Sequence, residues 1–310
     1  MSTPGMRPAR ILMPDDALSR AVDWGSMPIE VGYYAADDPD PPVDDPAHIL
    51  VVGLNSSPAA ETLAERLPAL ELVQVLWAGV EEWETRIRPS VRLVNARGAY
   101  GLVTAELATG GLIALLRGLP TIGADTSRQV WRPFLGESLW RRRIIVIGSG
   151  DVGQNVARQL RAFDADVRIV ARTPRAGVLP ASDLPDLLPS AEVVVIATPL
   201  TSATRGMVDA DFLALMPDGA VLVNVGRGPV VVTNDLVPEL ASGRLRAVLD
   251  VTDPEPLPAG HPLWDLPNVL ITPHVGGGVE AGAPVALDIA VEQIGQYLRG
   301  FRSDNLIDRT

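Results

Sequence analysis

Three glycines mark the first place where this chain can do chemistry. Gly148, Gly150 and Gly153 stand in the run Val-Ile-Gly-Ser-Gly-Asp-Val-Gly, directly behind an apolar stretch and at the head of a helical one. In a G-x-G-x-x-G loop so placed, the first glycine allows a tight turn and the second lets a pyrophosphate approach the backbone. The third lets the helix pack on the strand. Free N–H groups at the helix head attract phosphates, so Gly148, Ser149, Gly150, Asp151, Val152 and Gly153 are the expected dinucleotide-binding residues. The type of cofactor is read at the end of the next apolar run, about 20 residues on, where NAD sites carry a carboxylate for the ribose 2′-OH. Here that run ends Ala171-Arg172-Thr173-Pro174-Arg175 and holds no carboxylate. Guanidinium groups pair with a 2′-phosphate that a carboxylate would repel. NADP(H) is therefore favoured over NAD(H), with Arg172, Thr173 and Arg175 at the 2′-phosphate. The alternative is that both arginines only solvate a surface loop.

Three further motifs follow in order. Residues 198–228 end in Val225-Gly226-Arg227-Gly228, residues 249–256 read LDVTDPEP, and residues 272–277 read TPHVGG. Taken singly, Arg227 could be a surface charge, Glu255 a loop carboxylate and His274 a packing histidine. In this order behind a dinucleotide loop, the motifs resemble the D-isomer-specific 2-hydroxyacid dehydrogenase family, which includes glyoxylate/hydroxypyruvate reductases and phosphoglycerate dehydrogenases. The resemblance is strong over residues 140–280 and fainter over the first hundred.

The resemblance implies roles for these residues. Arg227 would pair with the carboxylate of a 2-oxo acid and polarise its carbonyl, a task suited to a planar, bidentate guanidinium. His274 would be the general acid/base, and Glu255 would orient its imidazole and fix its tautomer. Related formate dehydrogenases carry glutamine in place of Glu255. Thr198, Pro199, Thr204, Val225, Gly226, Asp250 and Gly276 match cofactor-side positions, Asp250 that of the nicotinamide carboxamide. Trp77-Ala78-Gly79-Val80 resembles the loop whose N–H groups hold the substrate carboxylate, so Ala78 and Gly79 join Arg227 and His274 as substrate-binding residues. Two departures stand out: Trp77 is bulky for that loop, and Gly101 occupies a position where the family often has threonine. The implied activity is reduction of a small 2-oxo acid to the D-2-hydroxy acid, and the family's habit implies a homodimer. The alternative is a nucleotide-sensing binding module of the same fold, which would need the three glycines but not Glu255 with His274.

The elements that must position these side chains are legible as short apolar runs. Residues 144–147, 167–171, 192–197, 220–225, 245–251 and 269–272 lack polar alternation, as strands of a parallel sheet buried on both faces require. Helical segments at 152–163, 209–215 and 234–241 supply the crossovers. The first hundred residues repeat the style at 10–13, 49–52, 72–76 and 92–94, with a helix at 59–67. Helices at 104–117 and 285–298 complete the pattern. The expected fold is α/β, with two doubly wound parallel-sheet domains of Rossmann and flavodoxin type and a cleft between them. Residues 1–97 and 279–310 would form the substrate-binding domain, and residues 98–278 the dinucleotide-binding domain. The acidic, proline-rich run 37–45 reads as a solvated loop.

Composition narrows the remaining classes. A formal charge of −12 disfavours nucleic acid and anionic membrane as partners. The absence of cysteine excludes disulfides and thiolate catalysis, and three scattered histidines make a poor zinc site, so no metal is expected. His48 and His261 read as structural. No run of about 18 apolar residues appears, and the N-terminal residues, with Pro4, Gly5 and Pro8, lack the apolar core of a signal peptide. The expectation is a soluble, cytoplasmic protein acting on a small molecule.

Overall fold

The computed structural model describes residues 6–53 and 57–308. Pro4 and Gly5, on which the N-terminal reading partly rests, lie outside the described residues. The chain divides into two compact units: Met1–Tyr100 with Val279–Thr310, and Gly101–Gly278.

The first unit begins with β1 (Ala9–Pro14), α1 (Ala17–Arg20), β2 (Ile29–Tyr34), β3 (Ile49–Val52), α2 (Pro58–Arg66), β4 (Leu72–Val75), α3 (Glu81–Arg86) and β5 (Arg92–Val94). The strands form one sheet in the order β2-β1-β3-β4-β5, and every pair is parallel. Each residue of β3 is buried, Leu50 and Val52 in one apolar cluster and Ile49 and Val51 in another. Both faces of the sheet are therefore covered, which is why the run shows no alternation. Ser57 starts α2 by accepting a hydrogen bond from the Ala60 N–H at 3.2 Å, with proline at the first helical position.

The second unit holds α4 (Gly101–Leu116), α5 (Leu119–Ser127), β6 (Arg143–Ile147), α6 (Asp151–Arg161), β7 (Asp166–Ala171), β8 (Val178–Pro180), α7 (Leu184–Leu187), β9 (Val193–Ile196), α8 (Ala210–Leu215), β10 (Val221–Asn224), α9 (Thr233–Ala241), β11 (Arg246–Leu249) and β12 (Val269–Ile271). Its seven strands run β12-β11-β10-β9-β6-β7-β8, again all parallel. The strand order reverses between β6 and β9, the switch point at which open α/β sheets take their ligands. The chain then returns to the first unit as α10 (Gly282–Leu298), which contributes Ala286, Leu287, Ala290 and Ile294 to the cluster beneath β1 and β3.

The structure amends the sequence reading in three places. β2 is an edge strand of six residues, only partly buried, whose run Ile-Glu-Val-Gly-Tyr-Tyr carries a glycine and no clean period. β8, Val178–Pro180, is three residues long and is not among the strands expected from the sequence. The loop over residues 37–45 is not merely solvated, because Asp45 accepts from Arg10 Nε at 2.7 Å and Nη2 at 2.6 Å. That bidentate pair ties the loop to β1.

Candidate active site

The glycine loop joins β6 to α6 at the switch point. Gly148 has φ +116°, and a Cβ there would lie 2.4 Å from the Ala197 carbonyl oxygen, so the loop packs on the chain leaving β9. At Gly153 a Cβ would lie 2.0 Å from the Gly148 carbonyl oxygen, which excludes any side chain between helix and loop. Gly150 is different: nothing lies within 4 Å of its Cβ position, and no side chain caps the N-terminus of α6. The outer face of the loop is thus open backbone at a helix N-terminus, a cradle that fits a diphosphate.

Asp151 explains the glycine at position 101. A Cβ on Gly101 would lie 1.7 Å from Asp151 Oδ2, so the Asp151 carboxylate occupies the space a threonine side chain would need. Asn155 Nδ2 donates to Asp151 Oδ1 at 2.9 Å. The missing side chain at Gly101 is thus matched by the Asp151 carboxylate, a pairing that the sequence reading at Gly101 alone did not reveal.

Beyond β7, Arg172, Thr173 and Arg175 are exposed. Arg175 Nη2 donates to the Ser149 carbonyl at 2.7 Å, so the arginine-bearing turn lies against the glycine loop. After β9, the Thr198 hydroxyl is buried without a hydrogen-bond partner among the described residues, at the sheet's carboxyl edge. Pro199 and Thr204 follow in a loop closed on itself: the Thr204 hydroxyl donates to the Pro199 carbonyl at 2.7 Å.

Arg227 follows β10 on a turn held from several sides. Val225 and Gly226 are buried, and a Cβ at Gly226 would lie 2.7 Å from the Thr198 carbonyl oxygen. A Cβ at Gly228 would lie 1.8 Å from the Thr252 carbonyl oxygen. The Arg227 turn therefore rests on the backbone of the loop that carries Glu255, at a distance only glycine permits. The guanidinium donates to the Gly226 carbonyl at 2.8 Å. On the Glu255 loop, the Thr233 hydroxyl donates to the Asp253 carbonyl at 2.6 Å.

His274 and Glu255, nineteen residues apart in the chain, come together: His274 Nδ1 and Glu255 Oε1 lie 2.5 Å apart. His274 has φ +53°, a left-handed backbone that a non-glycine residue adopts only where its surroundings impose it. Asp250, 4% exposed, imposes it. Its carboxylate accepts from the Thr272 hydroxyl at 2.6 Å, the Val275 N–H at 2.9 Å and the Gly276 N–H at 2.9 Å. The His274 N–H also donates to the Asp250 carbonyl at 2.8 Å. Gly276 is required beside it, since a Cβ there would meet Asp250 Oδ2 at 2.8 Å. One buried carboxylate thus pins residues 272–276 and turns the imidazole so that its Nδ1 meets Glu255. Neither Thr272 nor this use of Asp250 was foreseen from the sequence.

Ala78 and Gly79 lie in the first unit, in the loop after β4. Asn95 Nδ2 donates to the Ala78 carbonyl at 2.6 Å and the Ala96 N–H donates to the Trp77 carbonyl at 3.0 Å. Both carbonyls are therefore turned inward, while the N–H groups of Ala78 and Gly79 have no partner among the described residues. The bulk of Trp77 is accommodated by packing it on the core, edge-to-face with Trp83 at 6.4 Å between ring centroids. No cluster of potential metal ligands occurs among the described residues. No single helix among them is long and apolar enough to cross a membrane.

Comparison with known proteins identifies the family. A family model described as D-isomer specific 2-hydroxyacid dehydrogenase, NAD binding domain, matches residues 109–276, more than half of the chain. The D-3-phosphoglycerate dehydrogenase of Methanocaldococcus jannaschii is 31% identical over 84% of this chain, which spans about half (52%) of that relative's length. Human glyoxylate reductase/hydroxypyruvate reductase is 32% identical over 92% of this chain and 91% of its own. Among solved structures, a D-isomer specific 2-hydroxyacid dehydrogenase from Xanthobacter autotrophicus Py2, crystallised with NADPH and MES, superposes with a TM-score of 0.79. Its identity is 30%, over 97% of this chain and 98% of its own. The chain belongs to the D-isomer specific 2-hydroxyacid dehydrogenase family, whose members are NAD(P)-dependent oxidoreductases.

Proposed function

We propose that this chain reduces a small 2-oxo acid of the glyoxylate or hydroxypyruvate kind to the D-2-hydroxy acid, with NADPH in preference to NADH. The observation that carries the reading is the His274–Glu255 pair at 2.5 Å, held on a loop with a buried carboxylate at its centre. A module that only sensed nucleotides would have no use for that pair.

In this reading Arg227 holds the substrate carboxylate and draws electron density from the carbonyl. Ala78 and Gly79, whose N–H groups have no partner among the described residues, keep the substrate-binding role that the family resemblance implies for their loop. His274 Nε2 gives its proton to the carbonyl oxygen, and Glu255 keeps the imidazole in the tautomer and orientation that allow it. Asp250 keeps His274 in place and would hold the nicotinamide carboxamide. Gly148 to Gly153 take the pyrophosphate on open backbone. Thr198, Pro199, Thr204, Val225, Gly226 and Gly276 line the cofactor side, and the unpartnered Thr198 hydroxyl favours a polar ligand there. Bound NADPH supplies the hydride that reduces the carbonyl carbon. Arg172, Thr173 and Arg175 receive the 2′-phosphate, and the NADPH held by the Xanthobacter relative supports that preference.

The test follows cofactor absorbance with glyoxylate, hydroxypyruvate, pyruvate and bulkier 2-oxo acids. Faster oxidation of NADPH than of NADH is expected, and the double variant Arg172→Glu/Arg175→Glu should cut the NADPH preference at least tenfold, through repulsion of the 2′-phosphate. An NADH preference in the unaltered enzyme would refute the cofactor assignment. Cofactor binding without oxidation by any 2-oxo acid would favour a sensor instead.

The working form in this reading is a homodimer. Its support is the segment from α5 to Trp140: α5 buries none of its residues, and Trp131 and Leu135 are 94% and 98% exposed. The segment is tied down at its base, where the Glu137 carboxylate meets Arg246 at 2.6 Å and the Glu137 N–H meets the Leu116 carbonyl at 2.9 Å. An anchored segment that offers tryptophan to water is suited to burial against a second copy. Sedimentation equilibrium should give twice the 33.0 kDa chain mass, and Trp131→Asp/Leu135→Asp should give the single chain. A monomeric unaltered protein would dismiss the dimer.

A further inference from the structure

We infer that Asn224, to which the sequence reading gave no role, is a positioning residue that sets the aim of Arg227 and thereby the enzyme's affinity for its 2-oxo acid. The inference rests on the reading of Arg227 as the carboxylate-binding group.

Asn224 is the last residue of β10 and only 1% exposed. It is the lone polar side chain at the end of a strand whose other three residues are buried valine and leucine. A side-chain amide in such a place is costly unless its donor and acceptor are both used. Both are spent on the turn that carries Arg227. Asn224 Oδ1 accepts from the Gly226 N–H at 3.1 Å, and Asn224 Nδ2 donates to the Arg227 carbonyl at 3.1 Å. The amide thus bridges the two ends of the Gly226–Arg227 segment.

The sheet holds Asn224 equally firmly. In register it sits between Ile196 of β9 and Leu249 of β11, and its carbonyl accepts from the Asp250 N–H at 3.0 Å. A rigid three-strand platform is therefore linked through one amide to the Val225–Gly226 peptide unit and to the Arg227–Gly228 unit that leaves the Arg227 Cα. Gly226 against Thr198 and Gly228 against Thr252 fix the position of that turn, while the Asn224 amide fixes the rotation of its peptide planes. Rotation of those planes would swing a long guanidinium far more than it would displace the backbone. A bidentate arginine depends on that direction, because both N–H groups must meet one carboxylate together.

Asn224 could instead serve only to end the strand, and the two roles part in their readouts. Asn224→Asp keeps size and acceptor but sets an oxygen against the Arg227 carbonyl, and Asn224→Ala and Asn224→Ser remove or shorten the bridge. Each is examined for KM and kcat with glyoxylate, for NADPH affinity by fluorescence titration, for oxalate affinity by calorimetry on the NADPH-saturated protein, and for thermal midpoint. A positioning role predicts KM and the oxalate Kd raised about tenfold or more, with the NADPH Kd changed less than twofold. It also predicts that Asn224→Ala adds nothing further to the oxalate defect of Arg227→Ala, since the two act on one contact.

A lowered thermal midpoint with unchanged oxalate affinity would overturn the inference, as would NADPH affinity falling in step with oxalate. So would failure of all three variants to fold, which would assign Asn224 to the fold itself. Undiminished turnover and oxalate binding by Arg227→Ala would instead refute the underlying reading of Arg227. Loss in Arg227→Ala beside unaffected Asn224 variants would refute this inference alone.

Discussion

Replacement of Arg227 by alanine is expected to lower kcat/KM for a 2-oxo acid by about a thousandfold, equivalent to roughly 4 kcal/mol of lost transition-state stabilisation. The arginine would act twice in the reaction. It binds the carboxylate in the ground state, and it stabilises the charge that grows on the neighbouring carbonyl oxygen as hydride arrives. Losing the first raises KM and losing the second lowers kcat, so both should move. Arg227→Lys keeps the charge but not the fork and should fall between, about ten- to a hundredfold down. The surroundings favour a clean experiment, because the turn is held by Asn224, Thr198 and the Thr252 carbonyl rather than by the guanidinium alone. Thermal midpoints near that of the unaltered protein are the control. Activity of Arg227→Ala within tenfold of the unaltered enzyme would remove the anion-binding role on which the substrate class depends.

Loss of His274 should cost about a hundred- to ten-thousandfold in kcat, the usual range for a positioned general acid, while NADPH binding persists. The choice of replacement matters here. His274 sits at φ +53°, where alanine is strained and asparagine is tolerated. Asparagine therefore removes the imidazole with little change in backbone strain, and the two variants should agree in kcat while alanine melts lower. Glu255→Gln is the companion: its amide oxygen can still accept from Nδ1, preserving the tautomer, but it no longer carries the charge that stabilises an imidazolium. A smaller loss, about ten- to a hundredfold, is expected. Equal kcat in the unaltered enzyme and His274→Asn would show that the proton comes from elsewhere. In that case the 2.5 Å pair would be no more than a tie between two loops.

Much of this molecule was legible before any coordinates, for a local reason. A strand covered on both faces must be apolar throughout, so β3, β6, β9 and β10 declared themselves as runs of valine, isoleucine and leucine. Glycines that must touch backbone leave their spacing in the sequence, which placed the glycine loop at residues 148–153. The order of Arg227, Glu255 and His274 behind that loop marked the site, because each follows a strand at the same edge of one sheet.

Tertiary structure decided the contacts made between segments remote along the chain. Asp250 reads in sequence as a cofactor contact, and only the approach of residues 272–276 to the end of β11 shows its carboxylate committed to that loop. Gly101 reads as a departure until Asp151 is found in the space of its missing side chain. The turn that carries Arg172 and Arg175 has no marked neighbour in the sequence, and only the bond from Arg175 to the Ser149 carbonyl shows that it lies against the glycine loop. The edge strands β2 and β8 and the exposed helix α5 left no pattern: β2 lacks a clean alternation, β8 is only three residues long, and α5 buries none of its side chains. Burial acts residue by residue and so writes itself into the sequence as hydropathy. A hydrogen bond between distant segments constrains only two side chains or peptide groups, and those residue types have many other uses.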